Sequence, residues 1–113
     1  MGKWASYRKR GSAVQTGPLS APLSSDFTLS GILATQVTIT RVPAIPAPAD
    51  RWGYLVVKVA DGSVAATNQA SSSPLNATGL TTATQYRVQI AWFSASTSAR
   101  LSDWSAAQTF TTA

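Results

Sequence analysis

The sequence contains no cysteine, no histidine and no glutamate. Without cysteine it has neither disulfides nor thiolate metal sites. Without histidine it lacks the commonest metal ligand and the commonest general base at neutral pH. Its carboxylates are four aspartates far apart in the sequence: Asp26, Asp50, Asp61 and Asp103. So few groups for acid–base or metal chemistry predict that the protein is not an enzyme and that it binds no metal or cofactor.

Long apolar stretches are also missing. The chain has no apolar run of about 18 residues, the length that a membrane-spanning helix needs. Its N-terminus begins with charged residues and lacks the apolar run of a secretory signal peptide. We therefore expect no membrane insertion and no export through a signal peptide.

Charge is scarce for a folded domain of this size. Charged residues make up 12% of the 113-residue chain and hydrophobic residues 44%. The charged share is about half the usual one. The length fits one domain, and the composition is too apolar for a disordered chain. Alanine, serine and threonine occupy positions where lysine and glutamate usually keep a surface solvated. We therefore expect partners to cover part of the surface.

The basic residues divide the chain into an extended arm, residues 1–17, and a domain, residues 18–113. Four of the nine lysine and arginine residues fall within the first ten positions, where no acid opposes them. The remaining five bases and four acids leave a net charge of 5 − 4 = +1 for the rest of the chain. The candidate partner-binding residues of the arm are Lys3, Trp4, Tyr7, Arg8, Lys9 and Arg10.

Three roles for this arm are open on the sequence. Trp4 and Tyr7 can anchor it to an acidic protein surface, as buried aromatics do at interfaces. The same bases and aromatics suit nucleic acid, through phosphate contacts and base stacking. The third alternative is a free tail without a partner. We expect attachment to protein, with nucleic acid as the less favoured partner.

Short alternating segments separated by turn residues predict an all-β domain. The predicted strands lie within residues 27–31, 37–40, 52–59, 86–92 and 105–112. Asp61-Gly62 is a hairpin signal after the strongest of them. Segment 68–76 is predicted to be a loop or a weak edge strand, and the proline-rich segment 43–50 a rigid surface connection. Leu19 and Leu23 belong to a short edge strand at most. This pattern predicts an antiparallel sandwich of about seven strands.

Residues 79–90, Gly-Leu-Thr-Thr-Ala-Thr-Gln-Tyr-Arg-Val-Gln-Ile, resemble the fibronectin type III signature Gly-Leu-x-Pro-x-Thr-x-Tyr-x-Val-x-Val. The resemblance covers residues 18–113 and implies a fibronectin type III or immunoglobulin-like sandwich with a tyrosine corner. Leu80 and Tyr86 would form that corner, with the Tyr86 ring in the core and its hydroxyl bonded back to the chain. The family's proline is replaced by Thr82. The closing Ser-x-Trp-Ser segment, residues 102–105, followed by Phe-Thr-Thr, residues 110–112, resembles the family's final strand.

The first half of the domain departs from the family pattern. The family often places a core tryptophan at the end of its second strand, where this chain has Arg41. Either the strand is shifted or Trp52 fills the gap. The chain has no Arg-Gly-Asp triplet, so nothing in it points to integrin binding.

Aromatic and apolar residues supply two further candidate surfaces. Trp52, Trp92 and Trp104 can form a platform for sugars or peptides, but we expect Trp52 and Trp92 in or beside the core, because aromatics dominate small cores. Residues 54–59 are apolar on both faces, although a free sandwich keeps one face wet. Either a loop such as 43–50 covers them, or an outward patch meets another subunit. That candidate patch consists of Leu55, Val57, Val59 and Phe93.

These features resemble the fibronectin-like domains of bacteriophage virions, which serve as capsid decorations and as tail or baseplate appendages. We therefore predict a non-catalytic virion structural protein that is made in the host cytoplasm. Its arm would anchor it to capsid or tail subunits, in many copies. The alternatives are a carbohydrate- or protein-binding accessory module and a nucleic-acid-binding protein that acts through the arm.

Overall fold

Alternating β-branched and aromatic residues pair into two antiparallel sheets in the computed structural model, which describes residues 19–113. The seven strands are β1 (Phe27–Ser30), β2 (Val37–Arg41), β3 (Arg51–Lys58), β4 (Val64–Ala70), β5 (Leu75–Ala77), β6 (Gln85–Phe93) and β7 (Gln108–Thr111). One sheet has the order β1-β2-β5 and the other the order β4-β3-β6-β7. A short 3-10 helix, Ser24–Asp26, precedes β1. The predicted antiparallel sandwich of about seven strands is confirmed.

The core lies between the sheets and is built from alternate residues of the strands. Its larger members are Phe27, Val37, Ile39, Trp52, Tyr54, Val56, Leu80, Tyr86, Val88, Ile90, Trp92 and Phe110. Trp52 of β3 and Trp92 of β6 are directly opposite each other in the register, so their rings enter the core from the same row. Because side chains alternate between the two faces of a strand, every second residue of a strand faces the core.

The tyrosine corner that the resemblance implies is present. Leu80 and Tyr86 are both buried. The Tyr86 hydroxyl accepts a hydrogen bond of 2.8 Å from the Thr81 backbone N–H. The Tyr86 ring stacks on Phe110 of β7 at a centroid distance of 5.7 Å. This corner joins the loop before β6 to the core.

The predicted hairpin at Asp61-Gly62 joins β3 to β4. Gly62 has a φ of 74°, a left-handed conformation that glycine adopts without steric cost. The Asp61 carboxylate accepts hydrogen bonds from the Ser63 hydroxyl at 2.7 Å and from the Ser63 backbone N–H at 3.0 Å. β3 ends at Lys58, one residue before the predicted end, because the chain turns there.

The strand β4 is longer than the sequence predicted. The polar composition of residues 68–76 indicated a loop or a weak edge strand, and β4 is the edge strand of its sheet, but it already begins at Val64 and pairs with β3 with one register shift at Val56/Val57. Pairing with a central, strongly apolar strand overrides the weak local preference of alanine, asparagine and glutamine. The segment 71–74 is a loop, and β5 follows it.

The final strand begins later than predicted, at Gln108 rather than near Ser105. Before it, serine hydroxyls take the place of strand carbonyls beside β6. The Ser102 hydroxyl accepts from the Trp92 N–H, and the Ser105 hydroxyl accepts from the Ile90 N–H, both at 3.0 Å. The observed strand is shorter than the predicted one because serine side chains, rather than a regular strand ladder, satisfy these buried amides.

Trp52 is a core tryptophan that lies near Arg41, the last residue of β2. It is completely buried, and its indole N–H donates to the Ser72 carbonyl at 2.8 Å. The Arg41 guanidinium lies 5.9 Å from the centroid of the Trp52 ring and donates to the Pro43 carbonyl at 2.6 Å. β2 is therefore in its expected place, and Arg41 covers the tryptophan from the end of the sandwich.

The proline-rich segment 43–50 closes one end of the core. Ile45 packs against the core and Ala49 is buried in it, so the segment is more than a surface connection. At the same end, Leu19 packs against the core and its N–H donates to the Leu101 carbonyl at 3.3 Å. Neither Leu19 nor Leu23 lies in a strand. Residues 19–113 contain no helix that is long and apolar enough to cross a membrane.

Candidate protein-binding face of the four-stranded sheet

The alternation along β3 separates a core face from an outer face. Trp52, Tyr54 and Val56 point into the core, so the residues between them point to the other side of the sheet. We call this side the outer face. It consists of the outward positions of β3 (Arg51, Gly53, Leu55 and Val57) and of the residues in register with them on β4, β6 and β7.

An aromatic cluster occupies one half of the outer face. The Phe93 ring lies over Gly53, where a Cβ would come within 2.7 Å of the Phe93 Cε1 atom. Glycine is therefore required at this position for the ring to rest on the backbone. Trp104 packs edge-on against Phe93 at 5.9 Å, and the Arg100 guanidinium lies 5.4 Å from the centroid of the Trp104 ring.

Two arginines flank Phe93 in what we call the aromatic row. Phe93 is in register with Arg51 on β3 and forms an isolated bridge with Arg100 on its other side. Because residues opposite each other project to the same face of a sheet, both arginines lie beside the ring. Trp104, which contacts Phe93 and Arg100, completes this row.

The other half of the outer face is aliphatic and forms what we call the valine row. Val57 is opposite Val64 on β4 and opposite Arg87 on β6, and Arg87 is opposite Thr109 on β7. Val57 is only 7% exposed between its neighbours, whereas Val64 is 59% exposed. Leu55 lies between this row and Gly53 and is half-buried.

The structure brings three members of the predicted patch together. Leu55, Val57 and Phe93 share the outer face. Val59 lies beyond the end of β3, where its N–H donates to the Gln85 carbonyl at 3.1 Å. Of the segment 43–50, which the sequence offered as a cover for this strand, Ile45 and Ala49 pack against the core. That the patch meets another subunit stays a prediction.

The three tryptophans do not form one platform. Trp52 and Trp92 are in the core, at 0% and 4% exposure, while Trp104 is on the outer face. The expectation that the first two belong to the core is confirmed. A sugar-binding platform of all three is wrong, because the alternation of β3 and β6 turns two of the rings inward.

The aspartates serve local structure rather than a common site. Asp26 accepts from the Leu23 N–H at 2.9 Å, and Asp50 accepts from the Ala95 N–H at 2.6 Å. Asp61 is bonded within its own turn, and the Ser63 side-chain and backbone hydrogen bonds lower the pKa of this carboxyl. In the part of the chain that the structure describes, no three potential metal ligands come together.

Tyr54 is a core residue with a polar group, and its hydroxyl is hydrogen-bonded within the domain. Burial raises the pKa of Tyr54, whose hydroxyl donates to the Asn76 carbonyl at 3.3 Å. Residues 19–113 contain no pocket for a small molecule.

The predicted arm residues lie outside the described residues: Lys3, Trp4, Tyr7, Arg8, Lys9 and Arg10. Their role in attachment stays a prediction. The outer face, by contrast, includes Arg51, Arg100 and Trp104, which the sequence did not assign to the patch. The Phe93–Arg100 bridge joins two residues on either side of a loop, and no periodicity in the sequence signals it.

No family model matches the chain, and no curated protein matches it. Solved structures do. A structure described as a myokine is 17% identical, with a TM-score of 0.65, and the match covers 82% of this chain and 96% of that one. A fibronectin type III domain of human collagen XX is 16% identical, with a TM-score of 0.65 and coverage of 90% and 100%. The sixth such domain of human fibronectin type III domain containing protein 3 is 18% identical, with a TM-score of 0.62 and coverage of 90% and 92%.

The chain has the fibronectin type III fold. At these identities the likeness concerns the fold and not the activity. Domains with this fold are typically non-catalytic binding or structural modules.

Proposed function

We propose that the protein is a non-catalytic structural component of a bacteriophage virion, a capsid decoration or a tail or baseplate appendage, attached by its basic N-terminal arm. The observation that carries the proposal is the distribution of charge. The arm holds four of the nine bases, while the rest of the chain has a net charge of 5 − 4 = +1. Such a division suits a folded domain that is tethered to an acidic lattice by one end.

The chemistry of the arm supports attachment to protein. Ordering an extended segment costs about 1–2 kcal/mol of backbone entropy per residue. Exposed ion pairs contribute too little to offset this cost. Trp4 and Tyr7 are therefore the anchors that we expect to be buried in the partner, while the four bases orient the arm.

The test compares incorporation of the full-length protein and of a variant without residues 2–10 into particles of the encoding phage that were assembled without this protein. We expect the full-length protein to be retained and the deletion variant to be lost. Trp4→Ala should weaken retention more than Lys3→Ala. Equal retention of the full-length and shortened proteins would show that the sandwich, and not the arm, makes the attachment.

Nucleic-acid binding through the arm is the second candidate, favoured by the interleaving of bases with Trp4 and Tyr7. It differs in its response to salt, because each neutralised phosphate releases counterions. Binding of the full-length protein to an oligonucleotide that falls steeply with salt, with no retention on particles, would favour this candidate over the virion role.

A further inference from the structure

We propose that the outer face of the four-stranded sheet is a docking surface for an acidic protein partner. This surface is separate from the N-terminal arm, and the inference does not depend on a virion role. It rests on three observations: the aromatic row, the valine row, and the sign of the charge that surrounds them.

The side chains of the two rows are those that protein interfaces use. Phe93 and Trp104 contribute aromatic surface, Val64 contributes exposed aliphatic surface, and arginines border both rows. Aromatic residues and arginine are enriched at protein interfaces, while lysine, aspartate and glutamate are depleted there. The outward positions of the four strands carry no lysine and no carboxylate.

The charge of the face selects the partner. Of the five bases among residues 19–113, three lie in the two rows: Arg51, Arg87 and Arg100. Two of the four aspartates are adjacent in sequence to residues of the face: Asp50 precedes Arg51 and Asp103 precedes Trp104. When both are counted, the face has a net charge of 3 − 2 = +1. An acidic partner surface complements this charge and is steered toward it.

The same geometry favours protein over nucleic acid. Base stacking needs an accessible aromatic ring. On this face the Arg100 guanidinium already lies over the Trp104 ring, and the Phe93 ring rests on Gly53. A base that stacked on the same side of Trp104 would have to displace Arg100. Val57 and Val64 of the valine row have no use in phosphate binding, whereas they fit apolar side chains between the acids of a protein partner.

The size of the face sets the expected strength of binding. Four strands with a spacing of about 4.8 Å, over seven residues of about 3.3 Å each, span on the order of 400 Å². A standard interface uses about 800 Å² of each partner. The face alone should therefore bind weakly and exchange quickly.

The experiment follows the backbone amides of the full-length ¹⁵N-labelled protein by NMR during titration with a short peptide of alternating glutamate and leucine. A peptide with lysine in place of glutamate and an oligothymidylate are the comparison ligands. Two variants carry the same substitution on opposite sheets: Thr109→Glu lies in the valine row, and Thr28→Glu lies at an exposed position of β1. Arg87→Gln removes one positive charge with little change of volume and serves as a second test if Thr109→Glu unfolds.

The acidic peptide should shift amides of the outer face, and the lysine peptide should not. Thr109→Glu and Arg87→Gln should weaken this binding by roughly three- to tenfold, while Thr28→Glu leaves it unchanged. Equal losses in Thr109→Glu and Thr28→Glu, or shifts confined to residues 1–18, would overturn the proposal. Tighter binding of the oligothymidylate at this face would replace the acidic protein by nucleic acid. Outer-face shifts that depend on protein concentration alone would replace it by a second copy of the chain.

Discussion

The Tyr86 hydroxyl is the clearest case in which one atom holds a loop to the core. It accepts from the Thr81 N–H at 2.8 Å inside a buried corner. The second core tyrosine, Tyr54, has a longer bond of 3.3 Å in which its hydroxyl is the donor to the Asn76 carbonyl. The two residues therefore form a matched pair for measuring what a buried hydroxyl contributes.

We expect Tyr86→Phe to lower the free energy of unfolding by about 1 kcal/mol, because the Thr81 N–H loses its acceptor. Tyr54→Phe should cost less, since its bond is longer. Urea denaturation followed by tryptophan fluorescence measures both variants. A Tyr86→Phe protein as stable as the unmodified one would contradict this role for the corner.

At the scale of elements, the segment before β7 shows how side chains substitute for a strand. The Ser105 hydroxyl accepts from the Ile90 N–H at 3.0 Å, and both residues are buried. The Ser105 backbone N–H also donates to the Ile90 carbonyl at 2.8 Å. The segment is thereby attached to β6 without regular pairing, and it carries Trp104 onto the outer face.

Ser105→Ala should destabilise the domain by about 1–3 kcal/mol, because it leaves the Ile90 N–H buried without its hydroxyl acceptor. Ser96→Ala is the control, since Ser96 is exposed and its loss should change stability by less than about 0.5 kcal/mol. Thermal unfolding of both variants tests the difference. Equal midpoints for the two variants would argue that water replaces the Ser105 hydroxyl.

The β3–β4 hairpin makes a prediction about pH. Hydrogen bonds from Ser63 hold the pKa of Asp61 below its ordinary value of 3.8. A carboxyl whose pKa is lower in the folded state contributes stability that is present above the unfolded pKa and is lost as the pH falls through the folded one. The advantage of the unmodified protein over Asp61→Asn should therefore shrink as the pH drops below about 4. Midpoints of thermal unfolding measured from neutral to strongly acidic pH would refute this if the two curves stayed parallel.

At the scale of the whole molecule, the core and the proposed attachment by the arm are separable. Among residues 19–113, every member of the buried core cluster lies between Phe27 and Phe110. Deletion of residues 2–10 should therefore change the free energy of unfolding by less than about 0.5 kcal/mol. Urea denaturation of the full-length and shortened proteins tests this. A clear loss of stability would mean that the arm packs on the domain, and a loss of particle retention could then no longer be assigned to the arm alone.

Two weak contacts on one chain can act together. If the arm and the outer face both contact the same assembly, the second contact forms at the high effective concentration that the first provides. This would explain how a face on the order of 400 Å² is useful despite its size. Multiple copies on a lattice would add to the same effect.

The sequence by itself determined most of the fold. Alternation in residues 37–40 and 86–92, and the apolar run within residues 52–59, predicted three of the longer strands, because a period of two or a short apolar run decides which side chains a sheet can bury. The resemblance of residues 79–90 to the fibronectin type III signature implied the tyrosine corner of Leu80 and Tyr86, which the structure contains. The lack of histidine and cysteine indicated surfaces rather than chemistry as the place to look for function.

Only the tertiary structure decided what the outer face presents. Periodicity placed Leu55 and Val57 on the face of the sheet that points away from the core. How exposed a side chain is depends on its neighbours from other strands, and these leave Val57 buried and Val64 exposed. The contact of Phe93 with Gly53 joins residues that are far apart in the chain, as does the bridge between Phe93 and Arg100 across a loop. Local sequence carries no signal for such contacts, because they arise only when strand register and loop path bring the side chains together.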